Sequence, residues 1–315
     1  MWSGLGYALL AGAMWGLVFV VPLLVPEYPA ALLSAGRYLA FGLIALPLGF
    51  WDRRALAQLR RADWLMAIEL ALIGNLFYYL CLAGAIQRAG APVPTMIIGA
   101  LPVLIAIVAN LRSGDQPRLP WARMAPSLLA IALGVLCVHH AETQTPGTTS
   151  GMSLRYLGGL ALAGIALLCW TWYPLRNADW LRSHPQVRAR SWATAQGLAT
   201  LPLALLAYAL LWLWFMHSGQ GFAMPLGPRP LLFVALALAM GLLASWVGTL
   251  CWNAASQRLP PAIAGQLIVF ETLAALSYAY LLRREWPSSL SLLGVALLLL
   301  GVFWTLRSKP PAASG

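Results

Sequence analysis

Apolar runs of membrane length alternate along the chain with short polar joints. The runs cover about 4–25, 30–50, 64–86, 92–111, 121–139, 155–175, 191–216, 230–254, 261–281 and 287–306. Each approaches the roughly 20 mostly apolar residues that a helix needs to cross a bilayer. Within a run the apolar residues are continuous. Strands of a membrane barrel would instead alternate lipid-facing and lumen-facing residues, so the pattern predicts helices. The joints are polar or proline-bearing, as at Trp51 to Asp63, Arg112 to Pro120, His139 to Ser153 and Arg176 to Arg190. An all-α integral membrane protein with ten transmembrane helices is the expectation. No basic residue precedes the first run and no small-residue cleavage site follows it, which predicts a retained helix and not a signal peptide. Residues 307–315 read as a disordered tail.

Composition supports the same class. The chain is 61% hydrophobic with a mean hydropathy of +0.76, and only 9% of its 315 residues are charged. Soluble domains carry about 25% charge, because a water-facing surface has to be covered. The net charge of +11 raises the question of nucleic acid, but its distribution answers it. With the joints assigned to alternating sides, fourteen basic residues fall on one side and five on the other, and Arg37 lies within a span. Cytoplasmic loops hold the excess of Lys and Arg. The charge therefore predicts cytoplasmic N- and C-termini in a bacterial-type inner membrane, with lipid headgroups and no nucleic acid as partners. Cys81, Cys137, Cys169 and Cys251 lie in four different spans and read as small packing residues. The histidines lie in loops or at span ends, with no metal or other cofactor implied.

The chain also repeats itself. Gln87-Arg88-Ala89-Gly90-Ala91-Pro92 and Gln257-Arg258-Leu259-Pro260-Pro261-Ala262 each close one apolar run and lead through proline into the next, at an offset of 170 residues. The same offset lays Asn75–Ala85 on Ser245–Ala255, with Cys81 meeting Cys251, and Thr95–Leu111 on Gly265–Leu281. Two five-helix repeats follow, 1–150 and 151–306. Five is odd, so the second enters the membrane inverted. Inverted repeats characterise many secondary transporters, whose substrate sites lie near the midplane between the halves.

At this level the chain resembles the EamA-type drug/metabolite transporters. The resemblance rests on an aromatic patch, an Ala-rich stretch, Gln-Arg, prolines and then an apolar run with a central Glu or Pro-Val. Glu271 stands where that family often has Glu-Pro, although Thr272 follows it here. Leu101-Pro102-Val103 matches the Pro-Val part, and Leu282-Arg283-Arg284-Glu285 resembles the family's Leu-Gly-Glu helix end, with Arg-Arg in place of Gly. Length and aromatic richness look most like the YddG-type aromatic amino-acid exporters. The resemblance implies an exporter working by alternating access.

The polar residues within the spans are the candidate chemistry. In QLIVFETLAA, Gln266 to Ala275, Glu271 lies ten residues past Pro261, roughly 15 Å deep at 1.5 Å per residue. That is near the centre of a hydrocarbon core about 30 Å thick, too deep for a short side chain to reach water. Such an acid faces the bundle interior, as a proton-coupling or ammonium-binding group or as a polar peg between helices. Glu69 lies nearer an interface, within reach of Arg60 and Arg61. Arg37 is expected to pair with Glu27 or to meet a substrate carboxylate.

Of the 15 tryptophans, many fall at headgroup depth, but others lie deeper. Trp15 is mid-span. Trp170 and Tyr173 are one turn apart in a run that also holds Pro174. Tyr78 and Tyr79 follow Asn75 by three and four residues and are expected on its face. Trp246, Thr249 and Asn253 form a stripe. Tyr278 shares the face of Glu271, with Gln266 and Phe270 beside it. Together these predict an aromatic-walled cavity for a planar or amphipathic solute bearing an ammonium. Pro102 and Pro174 are candidate hinges. The expected activity is export of aromatic or hydrophobic amino acids and related metabolites, the alternatives being a broad drug/metabolite exporter or a channel. The chain has no GxxxxGK[ST] for ATP. An intramembrane enzyme is disfavoured, since HExxH and Gly-x-Ser-x-Gly are absent.

Overall fold

A computed structural model describes residues 2–112, 121–143, 153–219, 221–259 and 267–307. Each of the ten predicted runs is helical within these residues, and they contain no strand. The helices are α1 (Trp2–Leu24, with a tightened 3₁₀ turn at Leu17–Phe19), α2 (Ala30–Leu56), α3 (Arg61–Ala89), α4 (Pro92–Gly99 and Leu101–Arg112) and α5 (Trp121–Thr143). They continue as α6 (Leu154–Ser183), α7 (Ala189–Ser218), α8 (Pro230–Arg258), α9 (Val269–Arg283) and α10 (Ser289–Arg307). Six of them, α1, α2, α3, α6, α7 and α8, are long and apolar enough to cross a membrane. Residues 308–315 lie outside the described residues, as does Gln266.

Helix ends run further than hydropathy predicts. α2 continues through Asp52, Arg53 and Arg54, and α6 through Arg176 and Arg182. Charged residues end the apolar run but not the backbone hydrogen bonding, so two predicted joints are partly helical. α4 is interrupted at Ala100, just before Pro102. Proline has no N–H for the carbonyl four residues back, which loosens the turn there.

The bundle is apolar outside as well as inside. Leu43, Leu46 and Phe50 of α2 and Leu205, Leu206 and Leu210 of α7 are exposed. Exposed leucines in rows are what a hydrocarbon solvent permits. In lipid, helix association gains little from burying apolar surface and depends on close packing of small residues. α1 has such a stripe: Gly4, Ala8, Gly12 and Gly16, all buried. A Cβ on Gly12 would lie 3.0 Å from the Glu271 backbone nitrogen, and one on Gly16 would lie 2.8 Å from the Ala274 Cβ. The stripe thus lets α1 pack directly on the segment that bears Glu271.

Two features follow the offset of 170 residues. α3 widens to π-helical geometry over Leu70–Phe77, and α8 does so over Met240–Val247. The helix contacts are reciprocal too. α2 packs most extensively on α7, and α5 on α10. α1 packs on α8 and α9, while α6 packs on α3 and α4.

Candidate functional site

Glu271 lies in the first turn of α9 and is only 1% exposed. Trp170 of α6 donates its indole Nε1–H to Glu271 Oε2 at 3.1 Å. Glu271 Oε1 is buried and has no hydrogen-bond partner among the described residues. Around this carboxylate the rings form a continuous cluster. Trp170 stacks on Tyr78 at a centroid distance of 4.5 Å and on Tyr173 at 5.2 Å. Trp15 meets Trp170 edge-on at 4.9 Å and lies tilted against Trp252 at 5.3 Å. Four helices, α1, α3, α6 and α9, thus bring Trp15, Tyr78, Trp170, Tyr173 and Glu271 together.

The other predicted site residues surround this centre. Asn75 donates to Thr200 Oγ1 of α7 at 3.4 Å, and Tyr79 donates to the Val18 carbonyl of α1 at 3.3 Å. Asn75, Tyr78 and Tyr79 therefore face three different neighbours and not one. The π-helical stretch accounts for this, because its wider turns break the three-and-four spacing on which a shared face depends. Trp246 donates to Thr194 Oγ1 at 3.2 Å, and Asn253 donates to the Ala189 carbonyl at 3.4 Å, so their stripe faces α7. Tyr278 donates to the Ala13 carbonyl at 3.3 Å, on the flank where α9 meets α1. Pro174 stands inside α6, directly after Tyr173.

Below the aromatic centre lies a buried polar layer. Tyr173 donates to Gln196 Oε1 at 2.7 Å, and Gln196 donates to Asn177 Oδ1 at 3.2 Å. Trp192 donates to the same oxygen at 2.8 Å, and Asn177 donates to Asn253 Oδ1 at 2.8 Å. Trp192 stacks on Trp180, which donates to Asp63 Oδ1 at 3.0 Å. Asp52 is ion-paired to Arg190 nearby. The opposite end is tied by Arg229, which holds Glu27 at 2.5 Å, while Tyr28 donates to the Leu226 carbonyl at 2.8 Å. The cluster around Glu271 is enclosed between these two ends.

Two expected pairings are corrected. Glu27 pairs with Arg229 and not with Arg37, and Glu69 lies 3.8 Å from Arg176 and not against Arg60 or Arg61. Glu27 is in the α1–α2 loop beside the start of α8, whereas Arg37 is turned inward two turns into α2. Arg60 and Asp63 are used in capping α3, where the Arg60 backbone donates to Asp63 Oδ2 at 2.8 Å. Sequence reasoning missed Trp252, Asn177, Gln196 and Trp192. The first sits one residue before Asn253 and turns towards α1 instead of α7. The others were legible only as polar or amphipathic residues close to a run's end.

A separate cavity lies away from this cluster. A groove of about 540 Å³ opens sideways between α2, α3 and α7, walled by Leu72, Phe77, Leu211 and Trp214 among others. Its lining is almost wholly apolar, with Ser34 the polar side chain among it.

Comparison with known proteins matches this arrangement to a family. Residues 2–138 match the model of the EamA-like transporter family. The chain is 53% identical to the inner membrane protein YtfF of Escherichia coli (strain K12), over 98% of this chain and 97% of that one. The chain belongs to the EamA-like transporter family. A crystal structure of a protein 19% identical superposes with a TM-score of 0.62, over 95% of this chain and 96% of that chain, a likeness of fold. Membership makes this a multi-pass inner-membrane transporter.

Proposed function

We propose that the chain is a secondary transporter that exports aromatic and hydrophobic amino acids and related small metabolites. The observation that carries this reading is the Trp15–Trp170–Tyr78–Tyr173 cluster closing on the buried carboxylate of Glu271. Stacked rings give a planar side chain a favourable surface, and rings with a carboxylate attract an ammonium. Both features are held in a water-poor interior, where electrostatic attraction is stronger than in water. The finer likeness to YddG-type exporters belongs to this reading.

Transport proceeds by alternating access between two inverted five-helix repeats, 1–150 and 151–306, that together cross the membrane ten times. The paired π-helical segments and the reciprocal helix contacts support the repeat. In this reading both termini are cytoplasmic, as the basic loops suggest. The polar layer around Asn177 then closes the cytoplasmic end, and the Glu27–Arg229 pair closes the outer end. Pro102, at the break in α4, and Pro174, beside the ring cluster, are the hinges. Uptake of labelled phenylalanine, tryptophan and threonine into proteoliposomes tests the reading. Saturable flux of an aromatic amino acid is expected, and no saturable flux with any amino acid would overturn it.

A further inference from the structure

Arg37 is a buried cation with no carboxylate of its own among the described residues. It is 5% exposed, two turns into α2. Its Nε donates to Ser245 Oγ of α8 at 3.0 Å, and its guanidinium carbon lies 4.5 Å from the centroid of the Tyr79 ring and 4.8 Å from that of Tyr38. Its Nη1 is buried with no hydrogen-bond partner among the described residues. Glu27, Asp52, Asp63, Glu69 and Asp179 are each engaged by a different basic side chain. Glu271 spends its one hydrogen bond on Trp170, and Trp170 stacks on Tyr78, the sequence neighbour of the Tyr79 ring that Arg37 covers. The Tyr78 hydroxyl is likewise buried without a partner among the described residues.

A guanidinium taken out of water needs an anion or a full set of acceptors. Here it has one acceptor and two ring faces, with a free N–H. The carboxylate beyond Tyr78 has a free oxygen. One kind of molecule satisfies both: a zwitterion with its two charges close together and an apolar or aromatic group beside them. A planar guanidinium fork suits a carboxylate in two-point contact.

We propose that Arg37 and Glu271 are the two poles of one binding site for an α-amino acid. Arg37 takes the substrate carboxylate and Glu271 its ammonium, while the Tyr78 hydroxyl hydrogen-bonds between them. The side chain then lies against Trp170 and Trp15. This rests on the transporter reading above and adds to it a requirement: the substrate must carry both charges. Arg37 sets the discrimination against amines that lack a carboxylate.

Competition in counterflow tests the requirement. Proteoliposomes exchanging labelled phenylalanine are challenged with unlabelled phenylalanine, phenethylamine, which lacks the carboxylate, and 3-phenylpropionate, which lacks the ammonium. Phenylalanine should compete at a concentration about tenfold or more below either analogue, given the strength of charged hydrogen bonds. Arg37→Gln should collapse the preference over phenethylamine to about one- to threefold, and Arg37→Lys should restore part of it. Glu271→Gln should collapse the preference over 3-phenylpropionate instead. These ratios do not depend on how much protein folds, and the wild-type panel decides even where a variant fails to insert. Equal competition by all three compounds in the wild type would overturn the two-pole site while leaving the transporter reading standing. So would an Arg37→Gln variant that still prefers phenylalanine over phenethylamine as strongly as the wild type. No saturable flux with any amino acid would remove both.

Discussion

Glu271 and Trp170 are the pair on which the candidate site turns. The carboxylate was legible as an acid too deep to reach water, and the rings of Trp15, Tyr78, Trp170 and Tyr173 were legible as deep aromatics. Their meeting was not, since it needs four helices that lie far apart in sequence. Arg37 shows the limit more sharply. Loop proximity suggested Glu27 as its partner, yet the chain folds Glu27 onto Arg229, 202 residues away. The indole bond can be tested alone. Trp170→Phe keeps a ring and removes the N–H that holds the Glu271 carboxylate in place, so substrate affinity should fall several-fold. Substrate quenching of the remaining tryptophans measures it, and unchanged affinity would show that the bond does not hold Glu271 in its binding position. Coupling is a separate matter. If Glu271 carries protons, Glu271→Gln should abolish the pH dependence of net transport in proteoliposomes while exchange continues. A variant whose pH profile matches the wild type would assign the residue to binding alone.

At the scale of the helices, close approach decides what the sequence can be. A Cβ on Gly74 would lie 2.2 Å from Tyr173 Cδ2, so α3 and α6 meet there only because the side chain is absent. A Cβ on Gly164, also in α6, would meet nothing within 4 Å. Gly74→Ala should therefore destabilise the protein by about 1–3 kcal/mol, as overpacking does, and displace Tyr173 from its stack on Trp170. Gly164→Ala should leave the thermal unfolding midpoint in detergent unchanged or slightly raised. Equal midpoints for both variants would contradict the packing described. Helix positions were largely readable from hydropathy, because hydrocarbon solvent demands continuous apolar runs. Helix faces were less so. Periodicity assumes regular α-helix, and the π-helical stretches at Leu70–Phe77 and Met240–Val247 change the spacing in the two helices that carry many of the polar candidates.

For the molecule as a whole, the two closed ends frame the site. At the end marked by Glu27, the hydrogen bond from Arg229 holds the Glu27 carboxyl below the ordinary carboxylate range. A depressed value means that this latch contributes fully above that range and weakens as the pH falls through the lowered value. The difference in unfolding midpoint between wild type and Glu27→Gln should thus be present near neutral pH and vanish on strong acidification. A difference that persists unchanged well below the ordinary carboxylate range would contradict the pairing. The 170-residue offset was visible in sequence, and the two π-helical segments fall at that offset. Which ends the loops close, and with which residues, depended on long-range pairs that no local pattern encodes.

In the proposed function, the ring cluster at Glu271 moves an amino acid across the membrane by a carrier mechanism. Counterflow of labelled phenylalanine in proteoliposomes tests it most directly. Liposomes preloaded with unlabelled phenylalanine should accumulate label transiently above equilibrium, with saturable kinetics, and Glu271→Ala should remove the effect. Equilibration without overshoot, rising linearly with concentration and indifferent to Glu271, would contradict it.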